Sequence, residues 1–159
     1  MKSMKQQGFT LIELIVVIVI LGILSATALP KFFDLSNEAR AGVMGGVEAA
    51  MRSADTMIYA KSAAAGTAAL AGGAAVKVVV NGNDVLTHYG YAASAAALRS
   101  VLTLNPDTDF TTGAVATDGS IQHSKAKNFS TAPDTCAVVY VKAADANTPP
   151  TYTLAKGGC

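Results

Sequence analysis

Two histidines, His88 and His123, and two cysteines, Cys136 and Cys159, are the side chains in this 159-residue chain best suited to nucleophilic or metal chemistry. Neither histidine stands at a recognisable spacing from a nucleophile, so no Ser/His/Asp set assembles, and packed or solvated imidazoles are the simpler reading. Asn105, Asp107 and Asp109 alternate like the start of a calcium loop. No glycine follows for the tight turn, however, and no glutamate closes the loop. The glycines between 66 and 73 lack the Gly-Lys-Ser/Thr that cradles phosphate. Asn128-Phe129-Ser130 fits an N-glycosylation acceptor, a triplet common by chance. These residues predict no catalytic group, no metal and no cofactor.

One further ionisable residue stands out by its surroundings. From Phe9 to Leu29 the chain reads FTLIELIVVIVILGILSATAL, and Glu13 is the one ionisable residue in it. A carboxylate inside such a run costs a few kcal/mol, on the order of 3, unless it is compensated. As a helix the run rises roughly 31 Å at about 1.5 Å per residue, enough to cross a hydrocarbon core of about 30 Å. Lys2 and Lys5 precede it with no acid, which holds the N-terminus in the cytoplasm and exports everything after Leu29. Export places Cys136 and Cys159 in an oxidising compartment, and a disulfide between them is the economical reading. Closing a loop of about 24 residues contributes roughly 3.5 kcal/mol by chain entropy.

Composition agrees. The chain is 51% hydrophobic and 14% charged, with a mean hydropathy of +0.37. Thirty of its residues are alanine, which raises the apolar fraction while burying little area. The formal charge of +1, with Lys and Arg scattered singly, excludes the basic footprint of a nucleic-acid binder. Low hydrophobicity with high net charge, the signature of disorder, is absent.

Two cuts of the leader are open. Ala26-Thr27-Ala28 supplies a small-x-small site at which an ordinary secretory signal would be removed. A cut between Gly8 and Phe9 would instead keep the apolar run in the mature chain, with Glu13 fifth after the cut. Gly8-Phe9-Thr10-Leu11-Ile12-Glu13 resembles the processing site of type IV prepilins: a short basic leader ending in glycine, then phenylalanine, then a glutamate and a long apolar helix. Gly22 and Pro30 also fall where that family commonly has a glycine and a proline. The resemblance implies cleavage by prepilin peptidase after Gly8, N-methylation of Phe9, and an assembly role for Glu13 in neutralising a neighbouring subunit's N-terminal amine.

The elements that would carry these residues follow from spacing. After Pro30, Val43, Val47, Met51, Ala54, Met57 and Ile58 recur at helical intervals, so the helix is expected to run from Phe9 to about Ser62. Pro30 predicts a kink, and Gly42, Gly45 and Gly46 each cost about 1 kcal/mol relative to alanine. Residues 62–75 read as a helix end and a loop. Val76–Val80 and Val85–His88 flank Asn81-Gly82, a strong hairpin signal. A short helix is expected within 91–104, stopped by Asn105-Pro106-Asp107. Further strands are expected near 121–123, 136–142 and 152–155, with Pro149 and Pro150 in the last turn. The fold class is α+β: a long N-terminal helix packed on a small antiparallel sheet head, with a C-terminal disulfide-bounded loop.

The expected organisation is a leader at 1–8, a transmembrane and polymerisation helix at 9–29, an amphipathic half-helix at 30–62 and a head at 63–159. The tail from Thr135 through Cys136 to Gly157-Gly158-Cys159 resembles that of the mannose-sensitive haemagglutinin pilin group. Together the resemblances imply a structural subunit rather than an enzyme. It would be an inner-membrane precursor that meets the peptidase and the pilus assembly machinery, then forms a homopolymer as an extracellular adhesive filament. The alternatives are a minor pilin, a type II secretion pseudopilin, or a secreted binding module cut after Ala28.

Overall fold

The computed structural model describes residues 9–72, 76–105, 107–113, 118–126 and 133–159. The first helix, α1, runs Leu11–Ala64 without interruption. Helical assignment continues through Pro30 and through Gly42, Gly45 and Gly46. By internal contacts the chain divides into two units, 1–36 and 37–159. The C-terminal part of α1 thus belongs to the same compact unit as the strands.

Among the described residues seven strands follow, in two antiparallel sheets. β1 (Lys77–Val80), β2 (Asn83–His88) and β3 (Tyr91–Ala92) form the first, in that order. β4 (Phe110–Gly113), β5 (Ser120–His123), β6 (Ala137–Val141) and β7 (Thr151–Ala155) form the second, also in chain order. The α+β class and the hairpin closed by the Cys136–Cys159 disulfide agree with expectation. The expected helix within 91–104 is shorter than its spacing suggests. Tyr91 and Ala92 pair with His88 and Thr87 as β3, and α2 covers Ala95–Arg99 alone, with the Ser94 hydroxyl accepting from the Ala97 N–H at 3.2 Å. Strand β4 went unforeseen because Phe110-Thr-Thr-Gly offers one apolar residue to a pattern reading.

Between the two sheets and α1 lies one core. Met44, Val47, Met51 and Ile58 of α1 join Val78, Val80 and Val85 of the first sheet and Ile121, Val138 and Tyr140 of the second. Of the expected helix stripe, Val47, Met51 and Ile58 are buried and Ala54 packs against the core, but two positions are corrected. Val43 and Met57 are both 46% exposed, whereas Met44 and the acid Asp55 lie on the buried face. Spacing of 44, 47, 51, 55, 58 and 62 is the true inner face; an aspartate and a serine interrupt its apolar character.

Candidate functional site

Phe9, Thr10 and Glu13 stand at the start of α1, where backbone N–H groups lack intrahelical partners. The Thr10 N–H donates to Glu13 Oε2 at 2.8 Å and its hydroxyl donates to the same oxygen at 2.7 Å. The Glu13 N–H in turn approaches Thr10 Oγ1 at 3.4 Å. This is a reciprocal capping box, with threonine at the N-cap and glutamate three residues on. A negative charge there also meets the positive end of the helix dipole. Thr-x-x-Glu was legible in the sequence, but Glu13 was read only for its charge. Its second oxygen, Oε1, has no partner among the described residues. Gly8 lies outside the described residues.

From Leu11 to Leu29 the helix is long and apolar enough to cross a membrane, and none of it is buried. Its Leu, Ile and Val side chains are each 46–74% exposed. A monomeric soluble protein rarely leaves so large a contiguous apolar surface uncovered, which marks this one as a candidate membrane or partner contact.

That arrangement has counterparts among known proteins. The prokaryotic N-terminal methylation motif matches residues 3–29. The type IV narrow pilus major component PilA5 of Thermus thermophilus is 53% identical over 51 residues, 32% of this chain and 44% of that protein. Fimbrial protein Q of Moraxella bovis is 44% identical over 55 residues, 34% of this chain and 35% of that one. Over its N-terminal third the chain is therefore similar to type IV pilins. The chain spans less than half the length of either relative it matches. No solved structure matches it.

In the unit formed by residues 37–159, Cys136 and Cys159 form the disulfide. Cys159 is nearly buried, and Arg40 Nε on α1 donates to its carbonyl oxygen, so the stapled segment is also tied to the helix. The histidines serve packing. His88 Nδ1 accepts from the Gly72 N–H at 3.0 Å and its ring stacks on Tyr89. His123 Nδ1 accepts from the Lys125 N–H at 3.2 Å beside Phe110. Asp107 and Asp109 pair with Arg99 and Lys125. Among the described residues no three His, Cys, Asp or Glu converge on a point. The Asn128 triplet lies outside the described residues.

The polar cluster that sequence reading missed centres on Asp55. Its Oδ1 accepts from the Ala92 N–H of β3 at 2.8 Å. Its Oδ2 lies 3.0 Å from the Tyr140 hydroxyl of β6 and 2.6 Å from the Tyr152 hydroxyl of β7. Tyr140 Oη is also 2.8 Å from the Ala92 carbonyl oxygen. Arg52 lies over the Tyr152 ring at 4.4 Å and pairs with Glu48 at 2.7 Å. Burial raises the Asp55 carboxyl above the ordinary range despite hydrogen bonds that pull the other way. Nothing local marks Asp55 in the sequence, because its partners come from 37 to 97 residues away.

Proposed function

We propose that the chain is a structural subunit of an adhesive type IV pilus. It enters the inner membrane as a prepilin, is cut by prepilin peptidase between Gly8 and Phe9, and is methylated on the new Phe9 amine. It then leaves the bilayer with the assembly machinery to form a homopolymer. The observation that carries this reading is the fully exposed apolar helix with one carboxylate at its N-terminal turn. A disposable signal has no use for that acid, whereas a helix moving from lipid into a bundle of its own kind does. Glu13 Oε2 is held by Thr10, and Oε1 is left for the N-terminal amine of a neighbouring subunit. Leaving that amine unpaired in a low-dielectric core would cost about 3–5 kcal/mol.

N-terminal sequencing of the mature chain tests the processing. A start at Phe9, heavier by one methyl group, is expected; a start at Leu29 would make the chain a secreted module and end the proposal. Glu13→Ala tests assembly separately: cleavage should persist while sheared filament falls by about two orders of magnitude. Filament at wild-type levels in that variant would refute the role given to the acid.

A further inference from the structure

The oxygens around Asp55 can be counted against their protons. Three short oxygen–oxygen contacts link Asp55 Oδ2, Tyr140 Oη, Tyr152 Oη and the Ala92 carbonyl: 2.6, 2.8 and 3.0 Å. Each contact needs a hydrogen to be attractive, and the two phenols supply two. If Asp55 were ionised, Tyr140 would have one proton for two acceptors, and one contact would set two bare oxygens against each other in a buried site.

We propose that Asp55 is held as a neutral carboxylic acid in the folded head, and that loss of its proton loosens the joint between α1 and both sheets. With the proton on Oδ2 every contact is served. Asp55 Oδ2–H donates to Tyr140 Oη, Tyr140 O–H donates to the Ala92 carbonyl, Tyr152 O–H donates to Oδ2, and Oδ1 still accepts from the Ala92 N–H. The phenols do not lend the third proton, since burial beside Asp55 holds both far above the ordinary tyrosine range. Solvent supplies it. Asp55 lines an open recess of about 300 Å³ together with Arg52, Thr56, Tyr91, Pro149 and Tyr152, so the proton exchanges without unfolding.

The groups facing Asp55 are Arg52 on its own helix, Tyr91 on β3, Tyr140 on β6 and Tyr152 on β7. Asp118, paired with Lys142, acts on Tyr140 from farther off. Arg52 is the sole cation that lines the recess, and it is shared with Glu48. The native state therefore binds a proton that the unfolded chain releases at about pH 3.9. Between that pH and the higher native value, the folded-to-unfolded ratio drops about tenfold per pH unit from this group as pH rises.

Carbon-13 labelling of the aspartate carboxyls in the full-length chain in detergent tests this without interference from Glu13. One of the eight aspartates should carry the shift of a protonated acid at a pH where the others are ionised, and be missing in Asp55→Asn. That variant, which mimics the neutral acid in shape and donor, should fold and lose the decline in thermal midpoint that Asp55 causes as pH rises above about 3.9. All eight carboxyls titrating near the ordinary value in the wild-type chain would overturn the proposal, whatever the variant does. The result is independent of filament assembly.

Discussion

His88 and His123 both use Nδ1 to accept a backbone N–H. A proton on that nitrogen removes the acceptor and places a cation where it is poorly solvated. Burial accordingly lowers the basicity of both rings, with Lys142 adding repulsion at His88 and Arg40 and Lys125 at His123. A depressed native value means that the unfolded chain binds protons first as pH falls below about 6.5. These residues stabilise the head fully above that pH and progressively less below it, the opposite sense to Asp55. The thermal midpoint of the wild-type chain should therefore drop as pH falls from 6.5, by up to about tenfold in the folding equilibrium per pH unit and histidine. The double variant His88→Asn with His123→Asn should flatten that acid limb in a differential scanning titration.

At the scale of elements, the first sheet is built from two hairpins with the same two-residue geometry. Asn81 and Gly82 have φ of 51° and 83°, and Tyr89 and Gly90 have 50° and 85°. Both pairs are left-handed, as a type I′ turn requires, and this matches the twist of the strands. Asn-Gly announces the first turn in the sequence. Tyr-Gly does not announce the second, because tyrosine has no intrinsic preference for positive φ. It is held there by its surroundings: its N–H donates to the Leu70 carbonyl oxygen at 2.9 Å, its ring lies on the neighbouring His88, and Tyr59 of α1 stacks on Tyr91 just beyond the turn. A Cβ on Gly90 would also lie 2.8 Å from Tyr59 Cδ2. Gly90→Ala should destabilise the head by about 1–3 kcal/mol from backbone strain, more if Tyr59 cannot yield. Urea unfolding would show this as a lower midpoint at unchanged slope.

For the whole molecule, two kinds of surface divide the work. Residues 37–159 bury their apolar side chains in one core and close it with a covalent staple, while Leu11–Leu29 buries nothing. An exposed apolar run of that length is the kind of surface that lipid or a further chain covers. The staple bounds the C-terminal hairpin and holds Cys159 where Arg40 reaches it. Opening it should cost roughly 3.5 kcal/mol by chain entropy, together with the Arg40 contact. Denaturant curves of the full-length chain with and without reductant would measure that loss, and Arg40→Met under oxidising conditions would isolate the helix contact.

The N-terminal motif was legible from sequence because its chemistry is local. Two lysines, a Gly-Phe junction, an acid and an apolar run lie within one short stretch, and their pattern needs no fold to be recognised. The cysteine pair was legible by count and compartment, and Asn-Gly by backbone preference. Tertiary structure alone decided the division into two sheets, the Tyr89-Gly90 turn, and the inner face of α1 through Met44 and Asp55 rather than Val43 and Met57. In each case the deciding partners lie far along the chain. The favourable burial of Asp55 depends on Ala92, Tyr140 and Tyr152 arriving from three different strands, and hydrophobic periodicity assigns an aspartate to water until those hydrogen-bond partners are in place.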